Sequence, residues 1–318
     1  MPAVRSNIVP LRHARPGVVA YVKSPAEWFV ANSGWIQGTE GVALIDTCGT
    51  EQATLELLRD VRKYAGDQEL TVVITHAHGE HHNGLGVALR DGGTALAAPG
   101  SLDLVKAGPQ TYGNVFTYTR WGVLEPPEPG AVRPVTGWQK LDLGGAVVDV
   151  VAVPGVAHTA GDLVVHEPRS GTLFTGDLVF IGDTPIAVHG SIPGWLDALA
   201  WLQDTFRPRT LVPGHGPVAT PGHTAFHGMR VYLEWLLEAT TRQSNFAKLA
   251  KQASMRWPSW RNPERHIGNL MRAYADQHGR KLDVDLAIDA VLAAAGGRID
   301  LDLLLGGEPV RQISWAIS

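Results

Sequence analysis

A nearly unbroken apolar run, Leu70-Thr71-Val72-Val73-Ile74-Thr75, leads straight into His76-Ala77-His78-Gly79-Glu80-His81-His82-Asn83-Gly84. A run of that length without alternation suits a strand covered on both faces, which requires layers above and below one sheet. Four imidazoles and a carboxylate therefore emerge at the end of a buried strand. On a helix His76 and His78 would point apart, whereas on a turn leaving a strand end alternate residues can converge on one point.

Three further side chains of the same chemistry end apolar runs beside glycine or small residues. They are His158 in VPGVAHTAGD, Asp177 in LFTGD and His215 in VPGHGP. Any one of them alone is an ordinary turn residue. Together with the patterned run at 76–82 they point to a metal centre. Imidazoles and carboxylates suit zinc, and also manganese or iron. The single cysteine, Cys48, excludes an internal disulfide and a cysteine-rich metal site.

Short runs rich in β-branched and aromatic residues, bounded by Gly, Ser and Pro, predict strands at 18–22, 27–33, 34–38 and 42–46. Further strands are expected at 70–75, 146–154, 162–168, 171–177 and 210–217. A helix is expected after Thr50 as N-cap, a short one over Leu102–Ala107, and another at 195–204. Beyond about residue 222 the pattern turns helical, with segments predicted at 229–253, 262–279 and 283–297. Asn262 and Pro263 open the second of these and Gly279 closes it. Strands first and helices last predict an α/β layered body over 1–222 and a helical C-terminal extension over 223–318. The aromatic segment after Ala107 reads either as a lid or as a surface loop. Tyr112, Phe116, Tyr118 and Trp121 would line a pocket in the first case and pin the loop in the second.

With Lys+Arg at 27 and Asp+Glu at 31, the net charge of −4 in 318 residues leaves no basic footprint for nucleic acid. The first twenty residues mix charges and prolines and do not read as a signal peptide. Nowhere do about 18 consecutive apolar residues occur, so no membrane-spanning helix and a cytoplasmic location are expected.

The motif THAHGEHHNG resembles the Thr-His-x-His-x-Asp-His-x-x-Gly signature of the metallo-β-lactamase fold superfamily. PGVAHT is similar to that superfamily's Pro-Gly-His-Thr turn, FTGD to its bridging-aspartate strand, VPGHGP to its terminal histidine turn, and ALIDT to the strand preceding its first helix. The order is the family's, and the likeness covers roughly residues 17–220. It implies a four-layer αββα sandwich holding two zinc ions, with iron or manganese as other occupants. Carried over by motif, His76, His78 and His158 would hold the first metal, Glu80, His81 and His215 the second, and Asp177 would bridge them. The implied activity is that of a metal-dependent hydrolase. It would direct a metal-bridging hydroxide at an ester, lactone, thioester or related bond of a small molecule, with the carboxylates Glu80 and Asp177 serving the chemistry. A di-iron oxidoreductase, like the flavodiiron proteins or sulfur dioxygenases, is the alternative on the same fold. Flavodiiron proteins, however, have Glu where His78 stands.

The chain departs from the family pattern in three places. Glu80 replaces Asp, and its extra methylene moves the carboxylate by about 1.5 Å, against ligand tolerances of about 0.2 Å. His82 is the natural substitute should Glu80 turn away. Two residues separate Gly155 from His158, and Asp162 stands where many relatives have His, placed to orient a ligand histidine. His189, between Asp177 and His215, is expected to border the site as a contact to substrate or to a ligand. Cys48 is expected to be inert packing, and His223, His227, His266 and His278 to face solvent. The apolar faces of the extension would pack on the core, cap the site or form a homodimer.

Overall fold

The computed structural model describes residues 4–12, 17–242, 244–302 and 312–313. The end of the expected helical extension, 303–311 and 314–318, lies outside the described residues.

Period-two alternation in the N-terminal strands builds the centre of the molecule. In β2 (Gly17–Ser24), β3 (Ser33–Gln37) and β4 (Gly41–Ile45), the residues Val18, Ala20, Val22, Ile36, Ala43 and Ile45 face one way, while Val19, Tyr21, Trp35, Val42 and Leu44 face the other. Both sets are buried, which demands a layer on each side. β1 (Arg5–Arg12), β5 (Glu69–Val73), β6 (Thr94–Ala97), β8 (Val132–Pro134) and β15 (Gln312–Ile313) complete an eight-stranded sheet in the order β15-β1-β2-β3-β4-β5-β6-β8. The second sheet runs β13 (Thr210–His215), β12 (Thr172–Phe180), β11 (Leu163–Glu167), β10 (Val147–Ala152) and β9 (Trp138–Asp142). A two-stranded pair joins β7 (Phe116–Thr117) to β14 (Ile299–Asp300).

The two large sheets bury Val73, Leu96, Val148, Val150, Leu163, Val165, Phe174 and Val212 between them. At Gly34 the sheets approach so closely that a Cβ would strike the ring of Phe174. The outer face of the first sheet is covered by α1 (Glu51–Ala65), α3 (Leu85–Ala88) and α4 (Pro99–Ala107), through Leu57, Val61, Leu85 and Val105. The outer face of the second carries α5 (Ile192–Phe206), α6 (Ala225–Arg242), α7 (Phe246–Arg256) and α8 (Arg265–Gln277). Trp195, Leu202, Tyr232, Leu236, Leu249 and Leu270 reach in from these helices. The result is a four-layer αββα sandwich with helices at its C-terminal end, as expected. α2 (Gly79–His82) is a single turn, and α9 (Val284–Ala295) packs on an aromatic cluster of Trp28, Phe29 and Phe116. No helix among the described residues is long and apolar enough to cross a membrane.

Several expectations are corrected. In place of the strand expected over 27–33, residues 27–30 form a turn with a Glu27–Val30 bridge and β3 starts only at Ser33, because Phe29 takes φ 61° and turns its ring into the aromatic cluster. The single helix expected at 229–253 is two, α7 restarting where Asn245 accepts from the Lys248 amide. α8 begins at Arg265, not at Pro263, because Asn262 has φ 52° and donates its side-chain amide to Asp183. β1, which carries Pro10 and pairs with β2 and β15, gave no signal in the sequence. His266 is fully buried, not solvent-facing, with its Nδ1 2.9 Å from the Tyr232 hydroxyl, whereas His223, His227 and His278 are exposed.

Candidate metal centre

β4 and β5 run parallel with Ile45 beside Val73, so the two chains leave the sheet together. There Asp46 accepts from the Thr75 amide (2.7 Å) and the Thr75 hydroxyl (2.7 Å). That clamp fixes the exit of the strand into His76. His78 then caps the turn of α2, its carbonyl accepting from the His81 amide at 3.0 Å, which places Glu80 and His81 one turn along. A second clamp crosses the sheets. The Asn32 side chain donates to the carbonyls of Pro213 (2.9 Å) and Gly216 (2.8 Å), pinning the loop that carries His215.

Asp177 occupies the centre. In β12 its neighbour Gly176 has φ 51° and packs where a Cβ would meet Thr75, while the pairing of β12 with β13 shifts register on either side. That irregularity aims the carboxylate away from the ladder. Its Oδ1 lies 3.1 Å from His81 Nε2, and its Oδ2 lies 3.4 Å from His215 Nε2, 3.6 Å from His158 Nε2 and 3.8 Å from His76 Nε2. Two groups of donor atoms result, each within 4.8 Å of one another: His76, His78, His158 and Asp177, and Glu80, His81 and His215. Glu80, despite its extra methylene, keeps a carboxylate oxygen with His81 and His215. It is the one partly exposed member of the seven.

The electrostatics match a cation acceptor. Burial, then the neighbouring imidazoles, hold His76 and His78 well below the usual histidine range, and burial lowers His158 to about 3. These rings are neutral at pH 7 and offer lone pairs. Burial alone would raise Asp177, but His215 and His81 outweigh it and keep the carboxylate well below its ordinary range. Burial opposes the charge on His81 too, yet Asp177 and Asp46 raise it well above the usual value. His76 Nε2, His81 Nε2 and both oxygens of Asp177 are buried without a hydrogen-bond partner among the described residues. Orphaned buried donors and acceptors cost about 1–3 kcal/mol each, a cost that metal ions at this point would remove. The residues fit a metal pair.

The remaining expected residues have clear surroundings. Asp162 accepts from the Thr159 amide (3.0 Å) and hydroxyl (2.7 Å), so it ties the turn behind His158. Burial pushes Asp162 up to about 7. The ring nitrogens of His82 lie 3.0 Å from the His78 carbonyl and 3.1 Å from that of Gly108, facing away from Glu80's group and bracing the turn. His189 Nδ1 is 3.0 Å from His78 Nε2. Cys48 is buried on the helix side of the first sheet, with Lys23 Nζ 3.1 Å from its sulfur. The aromatics after Ala107 pin their segment, since Phe29 meets Tyr112, Phe116 and Trp121 edge to face. Asn32 and the orienting roles of Asp46 and Thr75 escaped the sequence reading. The one available signal was Asp46 closing an apolar strand just upstream of the histidine strand.

Comparison with known proteins agrees with this geometry. The family model described as "Metallo-beta-lactamase superfamily" matches residues 26–215. A hydroxyacylglutathione hydrolase of Hyphomonas neptunium is 25% identical over 167 residues, 48% of this chain and 64% of that protein, so the chain spans less than two thirds of this relative. The acyl-coenzyme A thioesterase MBLAC2 of Bos taurus is 27% identical over 213 residues, 58% of this chain and 72% of its own length. Among solved structures, a metallo-beta-lactamase from Pontibacter korlensis superposes with a TM-score of 0.57 at 19% identity, covering 72% of this chain and 99% of that one, which speaks to the fold. With the family model spanning every motif from the aromatic turn to His215, the chain belongs to the metallo-beta-lactamase superfamily, as an enzyme of its metallo-hydrolase type.

Proposed function

We propose that this protein hydrolyses an ester, lactone or thioester bond of a small molecule with two zinc ions, His76, His78 and His158 holding one and Glu80, His81 and His215 the other. The observation that carries the reading is the position of Asp177 between the two histidine groups, with Oδ1 beside His81 and Oδ2 within 3.8 Å of His215, His158 and His76. A metal pair there supplies Lewis acidity to the substrate's oxygen and a water acidified toward neutral pH.

The chain's own residues do the rest. Asp177, charged at neutral pH, balances the centre and keeps both donor groups in register. Asp46 and Thr75 hold the strand exit and the His81 ring fixed, so little reorganisation is left for the reaction. Glu80, at the partly exposed edge, can take up or return a proton as the leaving group departs. The catalytic unit is the part over 1–222, and the extension over 223–318 reaches the site through α8, whose Arg265 and Asn269 hold Asp183 and Ala187 in the loop beside it. Thioesters come first among candidate bonds because one similar protein is by name a thioesterase.

A panel of acyl thioesters, aryl esters and lactones, assayed with zinc-loaded and chelator-stripped protein, tests the proposal. Turnover of at least one member, lost on stripping and restored by zinc, is expected. Hydrolysis indifferent to metal would refute it.

A further inference from the structure

The loop between β12 and α5 is held by one face of α8, together with Arg261 and Asn262 just before that helix. Arg265 donates to the Asp183 carboxylate (3.1 Å) and the Thr184 carbonyl (2.8 Å). Asn269 donates to the Pro185 carbonyl and accepts from the Ala187 amide, both at 2.8 Å, and Asp276 accepts from the Ile192 amide at 2.8 Å. Asn269 is fully buried, and its amide also meets the Tyr232 hydroxyl at 2.9 Å. On the far side Gly190 presses against the carbonyls of Ala157 and His158, leaving no room for a side chain. A loop clamped at four backbone positions between α8 and the His158 turn presents a single imidazole, that of His189.

His189 Nδ1 lies 3.0 Å from His78 Nε2, and His78 Nδ1 lies 3.1 Å from His158 Nε2, inside the first donor group. The tautomers follow from that order. When His78 gives its Nδ1 lone pair to a cation, its Nε2 carries the proton and donates it to His189 Nδ1. Neutral His189 must then carry its own proton on Nε2. That nitrogen has no hydrogen-bond partner among the described residues, and His189 is exposed.

We infer that His189 binds a substrate oxygen, a carbonyl or carboxylate, through its Nε2–H, with its tautomer set by His78 and its position set by α8. The inference rests on the hydrolase reading for the substrate, but the tautomer can be observed without turnover. It gives the helical extension a function in specificity that the metal ligands do not have.

The test uses zinc-loaded, full-length protein with 15N-labelled histidine. The His189 resonances, assigned by their loss in His189→Gln, are expected to show a protonated Nε2 and a bare Nδ1. A proton on Nδ1 would overturn the inference. Kinetics with p-nitrophenyl acetate supply the second readout, with zinc content measured alongside. His189→Phe, which keeps the ring volume, is expected to raise KM roughly tenfold at unchanged zinc content, the factor one lost hydrogen bond yields. His189→Gln, whose amide both accepts and donates, is expected to recover most of that loss. Equal KM values for wild type and His189→Phe, or for the Phe and Gln variants, would also overturn it. Because the NMR readout needs no turnover, failure of the hydrolase reading and failure of this inference are told apart.

Discussion

Asp46 Oδ2 lies 2.8 Å from His81 Nδ1, so the carboxylate that closes β4 aims a candidate ligand whose other nitrogen faces Asp177. The same oxygen accepts the Thr75 hydroxyl at 2.7 Å. One buried carboxylate thus couples the end of a strand to the orientation of a metal-facing ring. Groups placed this way behind ligand histidines typically matter 10–100-fold in metal affinity or activity.

Asp46→Asn keeps the shape but can accept fewer of these bonds. Zinc affinity, measured by competition with a chromogenic chelator, is expected to fall by roughly 10–100-fold. An unchanged affinity would show that His81 needs no such partner.

Glu80→Ala removes the one carboxylate of the second donor group, Glu80, His81 and His215. Elemental analysis is expected to find about one metal per chain in the variant, retained by His76, His78 and His158, with turnover reduced at least about a hundredfold. Glu80→Asp is expected to hold two.

The metal-free protein should lose stability on acidification. The folded-state value of His158 lies near 3, against about 6.5 unfolded, so between those values the unfolded chain binds more protons and stability rises with pH. His76 and His78, also lowered, add to the same slope, while lowered Asp177 contributes stability that is lost as pH falls further. His81 has the opposite sign, since its raised value gives a contribution present in acid and lost toward alkaline pH. Urea midpoints from pH 7 to 4 are expected to fall for metal-free wild type and to fall less for His158→Gln. A parallel fall in both would contradict the assignment.

Gly176→Ala places a Cβ at φ 51° against the Thr75 side chain. A loss of about 1–3 kcal/mol in unfolding free energy is expected, with weakened metal binding because Asp177 is the next residue. Denaturant titration of the metal-free form and chelator competition read the two effects separately.

Asn269→Ala cuts the two bonds that hold the Pro185–Ala187 backbone. A stability loss of roughly 1–3 kcal/mol is expected, and a KM rise in wild type that is absent when His189 is already Phe. Additive effects in the double variant would mean that α8 does not act through His189.

The layered architecture and the meeting of His76, His78, His81, His158, Asp177 and His215 were legible because each follows an apolar, strand-like run closely in sequence. Parallel strand ends share an edge, so such residues gather without any long-range information. What could not be read is carried by contacts distant in sequence. Asn32 reaches 181 and 184 residues ahead to its two carbonyls, and Asn269 reaches back 84 residues to Pro185. His266 looked like a solvent-facing helix residue, since nothing local announces the Tyr232 hydroxyl against which it is buried. The segment 27–33 carries strand-like residues, yet burial of Trp28 and Phe29 against Phe116 overrides that preference.

Metal content per chain, determined by elemental analysis on protein purified without added metal, bears on the central claim most directly. Two ions per chain, zinc above all, are predicted for wild type, with loss of binding when Asp177 is replaced by Ala. A correctly folded chain that holds no metal, even after incubation with zinc, would contradict the account.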